Sequence, residues 1–166
     1  MRLPEEKTSC VLSACEGYRY RLERQWGDAP PITFLMVNPS TADDKVDDKT
    51  VLKLRAFSMA LDAGGFVIGN LFAWRSTDPD ALLSEVDPVG PENDLHLADM
   101  IGKAHRIICA WGAHKAAAPR ATVVRGLLRT QARCPVEALR LTKRGAPEHP
   151  LYLPLNLKPF PYKVFF

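Results

Sequence analysis

Apolar residues occur in four short runs that alternate with segments of helical periodicity. The runs are ITFLMV from Ile32, FVIGNLF from Phe66, RIICAW from Arg106 and VEALRL from Val136. Continuous apolar runs are typical of strands covered on both faces, although the fourth run is less strongly apolar than the others. The alternation predicts a single α/β domain over residues 1–166, with a central four-stranded, mainly parallel sheet between helices.

The segments between these runs predict the helices. DDKTVLKLRAFSMALDAGG has roughly helical apolar spacing, with Asp47 or Asp48 as its N-cap and Gly64-Gly65 as its end. DPDALL predicts a short helix, GPENDLHLADMIGKA a longer one, and PRATVVRGLLRTQ a helix with a proline in its first turn.

The two ends of the chain have different patterns. YRYRLERQW alternates polar and apolar residues and predicts an extra edge strand, antiparallel to its neighbour. The proline-rich tail PLYLPLNLKPFPYKVFF is too interrupted for a helix and predicts extended or turn structure.

Composition narrows the classes of function. The chain has 166 residues, a net charge of +3 and a pI of about 8.7, which permits nucleic acid as a partner without requiring it. No signal peptide and no apolar stretch of about 18 residues occurs, which predicts a cytoplasmic protein with reduced thiols and no membrane contact. Cys109 lies in an apolar run and is expected to be a buried thiol.

Several kinds of site lack their sequence signature. The four cysteines and four histidines show no zinc-type spacing, and neither a glycine-rich phosphate loop nor a GxSxG serine motif occurs. We therefore expect no metal and no cofactor.

Polar groups follow each predicted strand. They are Asn38-Pro39-Ser40-Thr41 after the first, Asn70 to Arg75 after the second, Trp111-Gly112 after the third, and Thr142 to Gly145 followed by His149 after the fourth. In parallel sheets the carboxyl ends of the strands share one edge, and ligands bind there. The sequence therefore predicts a binding site at this edge.

Each feature also has a structural interpretation. Asn38-Pro39-Ser40-Thr41 can form a plain turn, and Asn70 can bind a loop backbone group. Phe72 and Trp74 can belong to the core. The acids at 43, 44, 47 and 48 favour a helix N-terminus over a magnesium site.

Five motifs in order make the chain resemble a known family. They are NPSTADDKVDDKT, NLFAWRSTDP, PVGPEND, CAWG and TKRGAPEHPLYL, between about Tyr20 and Leu153. The chain resembles a bacterial and phage family catalogued as domain of unknown function 1643. The resemblance covers most of the sequence and implies no activity by itself.

A more distant resemblance does imply one. The order of motifs is similar to that of the uracil-DNA glycosylase superfamily, which has a four-stranded parallel sheet between helices. That resemblance implies that Asn38 positions the attacking water, that Asn70 binds the base edge, and that His149 stabilises charge on the departing base. The chain departs from the superfamily at Met36, where a glycine is usual, and at Leu151, where a serine is usual. It also has no carboxylate at the usual water-activating position.

The remaining candidates follow from what base excision requires. A stacking ring is expected from Phe72, with Trp111 as second choice, and phosphate contacts are expected from five hydroxyl and cationic side chains: Ser40, Thr41, Arg75, Lys143 and Arg144. The expected partner is DNA, a nucleobase or a nucleotide. The alternative is a non-catalytic nucleotide- or nucleobase-binding module on the same fold. The oligomeric state stays open.

Overall fold

A seven-stranded sheet carries a mixed α/β fold in the computed structural model, which describes residues 5–164. The strands are β1 Lys7–Leu12, β2 Arg19–Gln25, β3 Ile32–Met36, β4 Gly65–Asn70, β5 Ile107–Cys109, β6 Val136–Ala138 and β7 Phe160–Pro161. Three α-helices accompany them: α1 Lys49–Ala60, α2 Asn93–Lys103 and α3 Ala117–Gln131. Two 3-10 turns cover Pro79–Leu83 and Pro150–Tyr152.

The strand order is β1-β2-β4-β3-β5-β6-β7. The middle strands β4, β3, β5 and β6 pair in parallel, whereas β1 with β2, β2 with β4, and β6 with β7 pair antiparallel. The expectation of a four-stranded, mainly parallel sheet is therefore corrected to a mixed sheet of seven strands. It missed β1, which is half-exposed, and β7, which has two residues.

The strand β2 is antiparallel as predicted, but it is not an edge strand because β1 covers its outer side. Over residues 150–164 the proline-rich tail contains a 3-10 turn and the short strand β7 and no α-helix, which confirms the expected extended or turn structure in this range. Among residues 5–164 no helix is long and apolar enough to cross a membrane.

Hydrophobic clusters lie on both faces of the sheet. One joins Leu35 and Cys109 to apolar residues of α2 and α3, and the other joins Phe34 and Ile108 to apolar residues of α1. Successive strand residues thus point to opposite faces, as the pleat requires. Cys109 is fully buried, which confirms the expectation of a buried thiol, and burial raises the pKa of that thiol.

The helix α1 begins at an aspartate cap. Asp48 Oδ1 accepts a hydrogen bond from the Val51 backbone N–H at 2.9 Å, as predicted for one of the two candidate caps. The helix ends at Ala60, and Asp62 has a φ of +58°, so Gly64-Gly65 does not end it. A Cβ at Gly64 would lie 2.2 Å from the Ala29 carbonyl oxygen, so this glycine is required for close backbone approach.

A buried ion-pair network fixes the segment that leads into α1. Asp47 Oδ1 lies 2.8 Å from Arg24 Nη2, and Asp47 Oδ2 lies 3.0 Å from Arg55 Nη2. Glu6 completes the network at 2.8 Å from Arg55. Because the Arg24 side chain is fully buried, the network holds Asp47, and with it the neighbouring cap Asp48, against the sheet.

Candidate functional site

A cavity of about 310 Å³ lies at the carboxyl ends of β3 and β4. We call it the edge cavity. Its polar lining includes Arg19, Asn38, Asp48, Asn70 and His149. The parallel register pairs Met36 with Asn70, so the residues that follow β3 and the last residue of β4 reach the same edge. Its volume is at the lower end of the range for small-molecule pockets.

Asn70 is the last residue of β4 and only 1% exposed. Neither its Nδ2 nor its Oδ1 has a hydrogen-bond partner among residues 5–164. A buried polar group without a partner costs about 1–3 kcal/mol, and native proteins contain few of them. An amide with both polar ends unpaired, in the wall of a cavity, is therefore a group available to a ligand.

Side chains of α2 and α3 hold the backbone at the end of β4. The Asn93 side chain donates from Nδ2 to the carbonyl oxygens of Asn70 at 3.0 Å and Leu71 at 3.2 Å. Arg120 Nε donates to the Leu71 carbonyl at 2.8 Å, and its guanidinium also pairs with Asp94. Residues of the PVGPEND motif thus fix the backbone at the end of β4, from which the Asn70 side chain extends.

His149 precedes the 3-10 turn Pro150–Tyr152. Its Nδ1 accepts the Leu151 backbone N–H at 3.3 Å, so the neutral ring carries its hydrogen on Nε2 and can donate from there. Burial lowers the pKa of His149, and the nearby Asp48 carboxylate raises it by a smaller amount. The imidazole is therefore neutral at pH 7 and is a donor in the cavity wall.

Gly112 lies just after β5 and beside His149. Its φ of +74° favours glycine, whereas a Cβ there would make only an ordinary contact with the His149 Cβ at 3.5 Å. Gly112 N–H also donates to the Pro147 carbonyl at 2.8 Å. The glycine of the CAWG motif thus anchors the loop that carries His149.

Asn38 ties two loops together. Its Nδ2 donates to the carbonyl oxygens of Pro39 at 3.0 Å and Ser76 at 2.9 Å, so both amide hydrogens are used. Only Oδ1 is left to accept a hydrogen bond from a ligand or a water. Asn38 can therefore orient a water but cannot donate to a base.

Arg19 and Asp48 are cavity residues that the sequence analysis did not select. Arg19 is the first residue of β2, which runs antiparallel to β4 and so begins at the same edge. Its side chain is buried, Nη1 donates to the Ala42 carbonyl at 2.7 Å, and Nε has no partner among residues 5–164. Burial lowers the pKa of Arg19 to about 10.

An adjoining cavity of about 310 Å³ is lined by hydroxyl side chains and one cation: Ser40, Thr41, Arg75, Ser76 and Thr77. It shares Ser40, Ser76 and Thr77 with the edge cavity. Three of the residues expected to contact phosphate are thus brought together beside Asn70. Arg75 Nη1 donates to the Glu16 carbonyl at 3.2 Å, which fixes the guanidinium near this cavity.

Four other predicted site residues lie elsewhere. Phe72 and Trp111 are buried in the core cluster under α2 and α3, and neither lines the edge cavity. Lys143 and Arg144 are exposed in the turn after β6 and line neither cavity. No group of His, Cys, Asp and Glu side chains that could hold a metal occurs in the described part of the chain.

A family model described as "Protein of unknown function (DUF1643)" matches residues 19–151. The matched range begins at Arg19 and ends at Leu151, which are also the first and last residues in the lining of the edge cavity. Comparisons with curated proteins and with solved structures find no match.

Proposed function

The chain belongs to the DUF1643 family of proteins of unknown function, and we propose that its edge cavity binds a nucleobase in DNA and hydrolyses the N-glycosidic bond. This would be a reaction like that of the uracil-DNA glycosylases. The observation that carries the proposal is the Asn70 amide, which is buried and has both its donor and its acceptor unpaired in the cavity wall.

The chemistry of that amide matches a base edge. An asparagine side chain donates and accepts side by side, and uracil or thymine presents an acceptor oxygen next to a ring N–H in the same way. A ligand with this pattern satisfies both unpaired groups of Asn70 at once. A cavity of about 310 Å³ accommodates a group of this size once the base has left the helical stack.

Bond cleavage would use three further side chains. The water oxygen attacks C1′, the C1′–N bond breaks, and its electron pair moves onto the base. His149 Nε2–H donates to the oxygen on which that charge develops, and Asn38 Oδ1 holds the water. Asp48, whose Oδ1 caps α1, lines the same cavity and takes the proton from the water. The base is then protonated by solvent as it leaves.

The adjoining cavity would bind the DNA backbone. Ser40 and Thr41 offer hydroxyl groups and Arg75 offers a guanidinium, which are groups that commonly bind phosphate oxygens. Lys143 and Arg144 lie in a separate turn at the carboxyl side of β6, and they would contact a phosphate further along the strand.

A non-catalytic nucleobase- or nucleotide-binding module remains a second candidate. Its support is the lining of the edge cavity, which within residues 5–164 includes no Phe, Tyr or Trp ring for stacking. Stacking on an aromatic ring is one means by which base-excising enzymes hold an extruded base. A protein that only binds a base through Asn70 would not need to hold the ring so firmly.

Single-turnover assays would distinguish these two functions. The panel contains oligonucleotides with uracil, mismatched thymine, hypoxanthine and phage-type modified pyrimidines. We expect excision of one of these bases, and we expect His149→Ala to slow it by about 10²–10³-fold because one donor to the oxyanion is lost. His105→Ala is the matched control, since His105 is exposed and precedes β5 at the opposite edge.

Uniform inactivity of the wild-type protein across this panel, with measurable binding of a nucleobase, would reject catalysis and support the binding module. Absence of both excision and base binding would reject the proposed function altogether.

A further inference from the structure

Arg19 is a buried cation without an ion pair among residues 5–164. The residue is 3% exposed, its side chain makes one hydrogen bond, from Nη1 to the Ala42 carbonyl, and Nε has no partner. Asp48 lines the same cavity. Burial lowers the pKa of Arg19 and the negative charge of Asp48 raises it, but the carboxylate makes no ion-pair contact with the guanidinium. Removing a guanidinium from water is costly unless a negative group compensates it, so this arrangement favours an anion in the cavity.

The strand order locates that charge relative to the other polar groups. Arg19 begins β2, Asn70 ends β4, and His149 packs beside Gly112 just after β5. These strands occupy the order β2-β4-β3-β5, so about 14 Å separates the first from the last at normal strand spacing. A ligand lying along this edge would meet the cation at one end, the amide next, and the imidazole at the other end.

We propose that the ligand of the edge cavity carries a terminal anionic group, a phosphomonoester or a carboxylate, which binds Arg19 while Asn70 binds its base edge. The proposal rests on base recognition by Asn70 in the proposed function: an acid-modified base would narrow the substrate class of the DNA reaction, whereas a free nucleotide would support the binding module. Guanidinium groups bind both anions through paired N–H donors, and the unpaired Nε of Arg19 supplies one such donor.

The anion must be terminal because of where Arg19 lies. A phosphodiester inside a DNA strand continues into a sugar on each side, and it cannot reach a guanidinium that is 3% exposed without burying both. A free mononucleotide has a terminal phosphate, and an acid-modified base has a terminal carboxylate. Either can enter with the charged end first, whereas an unmodified base from DNA would leave the Arg19 guanidinium with no anion in contact, only the more distant Asp48 carboxylate.

Calorimetric titrations with four ligands test the proposal. Uridine is compared with uridine 5′-monophosphate, and uracil with the ring carboxylate 6-carboxyuracil. We expect at least one anionic ligand to bind about 10–100-fold more tightly than its neutral counterpart, because a charged hydrogen bond is gained. Whichever pair shows the larger difference identifies the source of the anion as a nucleotide phosphate or an acidic base.

Arg19→Gln should abolish the preference for the anion and leave the affinity for uridine within about threefold of wild type. Arg133→Gln is the matched control, because Arg133 is exposed before β6 at the opposite edge of the sheet and should preserve the preference. Arg19→Lys keeps the charge and should retain part of it. If Arg19→Gln does not fold, the wild-type panel together with Arg19→Lys still decides.

Equal binding of charged and neutral ligands, or a preference that survives Arg19→Gln, would overturn the proposal. The proposed function can fail separately. If inorganic phosphate binds as tightly as the nucleotide and Asn70→Leu changes nothing, then Arg19 binds an anion but the cavity does not recognise a base. If Asn70→Leu abolishes uridine binding while Arg19→Gln leaves the affinity for every ligand unchanged, then base recognition stands and the anion site is rejected.

Discussion

Replacing Asn70 by leucine should separate stability from function. Asn70 is buried, and neither end of its amide has a protein partner among residues 5–164, so its polar groups contribute nothing to the folded state through protein hydrogen bonds. Leucine has the same number and branching of side-chain heavy atoms and no polar atoms. We therefore expect Asn70→Leu to keep or raise the free energy of unfolding while it abolishes binding of a base.

The magnitude follows from the comparison with Asn93. Relieving unpaired buried groups at Asn70 gains between about 0 and 3 kcal/mol, the lower figure applying if water in the cavity satisfies the amide. Asn93→Leu instead removes two hydrogen bonds, to the carbonyls of Asn70 and Leu71, and should cost on the order of 3 kcal/mol. For a chain of this size 1 kcal/mol changes Tm by about 2–4 °C.

Thermal unfolding of the two variants is the assay, with base binding measured by calorimetry on the same samples. Both changes are the same substitution at a buried asparagine. Asn93 Nδ2 has two protein acceptors although its Oδ1 has no partner among residues 5–164, whereas neither end of the Asn70 amide has one. Asn93→Leu should lower Tm by about 6–12 °C, and Asn70→Leu should not lower it. An equal fall in Tm for both variants would show that the Asn70 amide has a structural role and would refute the argument for a ligand.

Three further predictions concern charged and titratable groups. Burial lowers the pKa of His149, so the unfolded state binds the proton first as the pH falls below 6.5. Urea unfolding should therefore show that the wild type loses stability relative to His149→Asn below that pH. A difference in unfolding free energy between the two proteins that does not change with pH would contradict this. Replacing Lys143 and Arg144 by glutamine should reduce the slope of the logarithm of the DNA-binding constant against the logarithm of the salt concentration by up to about 2 units. Arg133→Gln at the opposite edge should leave this slope unchanged. An unaltered slope in the double variant would exclude both phosphate contacts. Asp47→Asn should lower the free energy of unfolding in urea by about 3–5 kcal/mol, because two buried arginines lose their shared carboxylate. Burial raises the pKa of Asp47, but the hydrogen bonds from those arginines lower it, so the stability that Asp47 contributes above pH 3.8 is lost at lower pH. A cost below about 1 kcal/mol would show that the network is dispensable.

Apolar periodicity was sufficient to predict the middle of this fold. The first three apolar runs are buried almost throughout, so their composition distinguishes them from the rest of the chain, whereas only Ala138 and Leu139 of the fourth run are buried. The N-cap of α1 was also predictable, because Asp48 has the side chain that caps a helix, whereas Gly64-Gly65 did not mark its end. The strands β1 and β7 were not predictable in the same way, since a half-exposed strand and a two-residue strand have no distinctive pattern.

The sequence predicted Asn70 as a site residue and placed Phe72 there as well, although Phe72 lies beyond the end of β4. Asn70 and Phe72 are two residues apart and would share a face if β4 continued, but β4 ends at Asn70. Beyond that point the chain turns, and the Phe72 backbone N–H binds the Val37 carbonyl while its ring enters the cluster under α2 and α3. Parity along a strand does not extend past its last residue, so a stacking ring could not be assigned from spacing alone.

Arg19 shows how an antiparallel strand adds to a site built on parallel ones. Parallel strands deliver their carboxyl ends to one edge, so a search of the sequence for polar groups after strands finds Asn38, Asn70 and His149. An antiparallel neighbour delivers its first residues to that same edge instead. The alternation in YRYRLERQW had already indicated such a strand, and its first arginine therefore belonged among the candidates.

The two strand directions supply different chemical groups to the cavity. The ends of β3 and β4 supply neutral amides, which can recognise a base, whereas the start of β2 supplies a buried charge, which only an anion can balance. The mixed sheet thus allows one cavity to select a ligand by both hydrogen-bond pattern and charge.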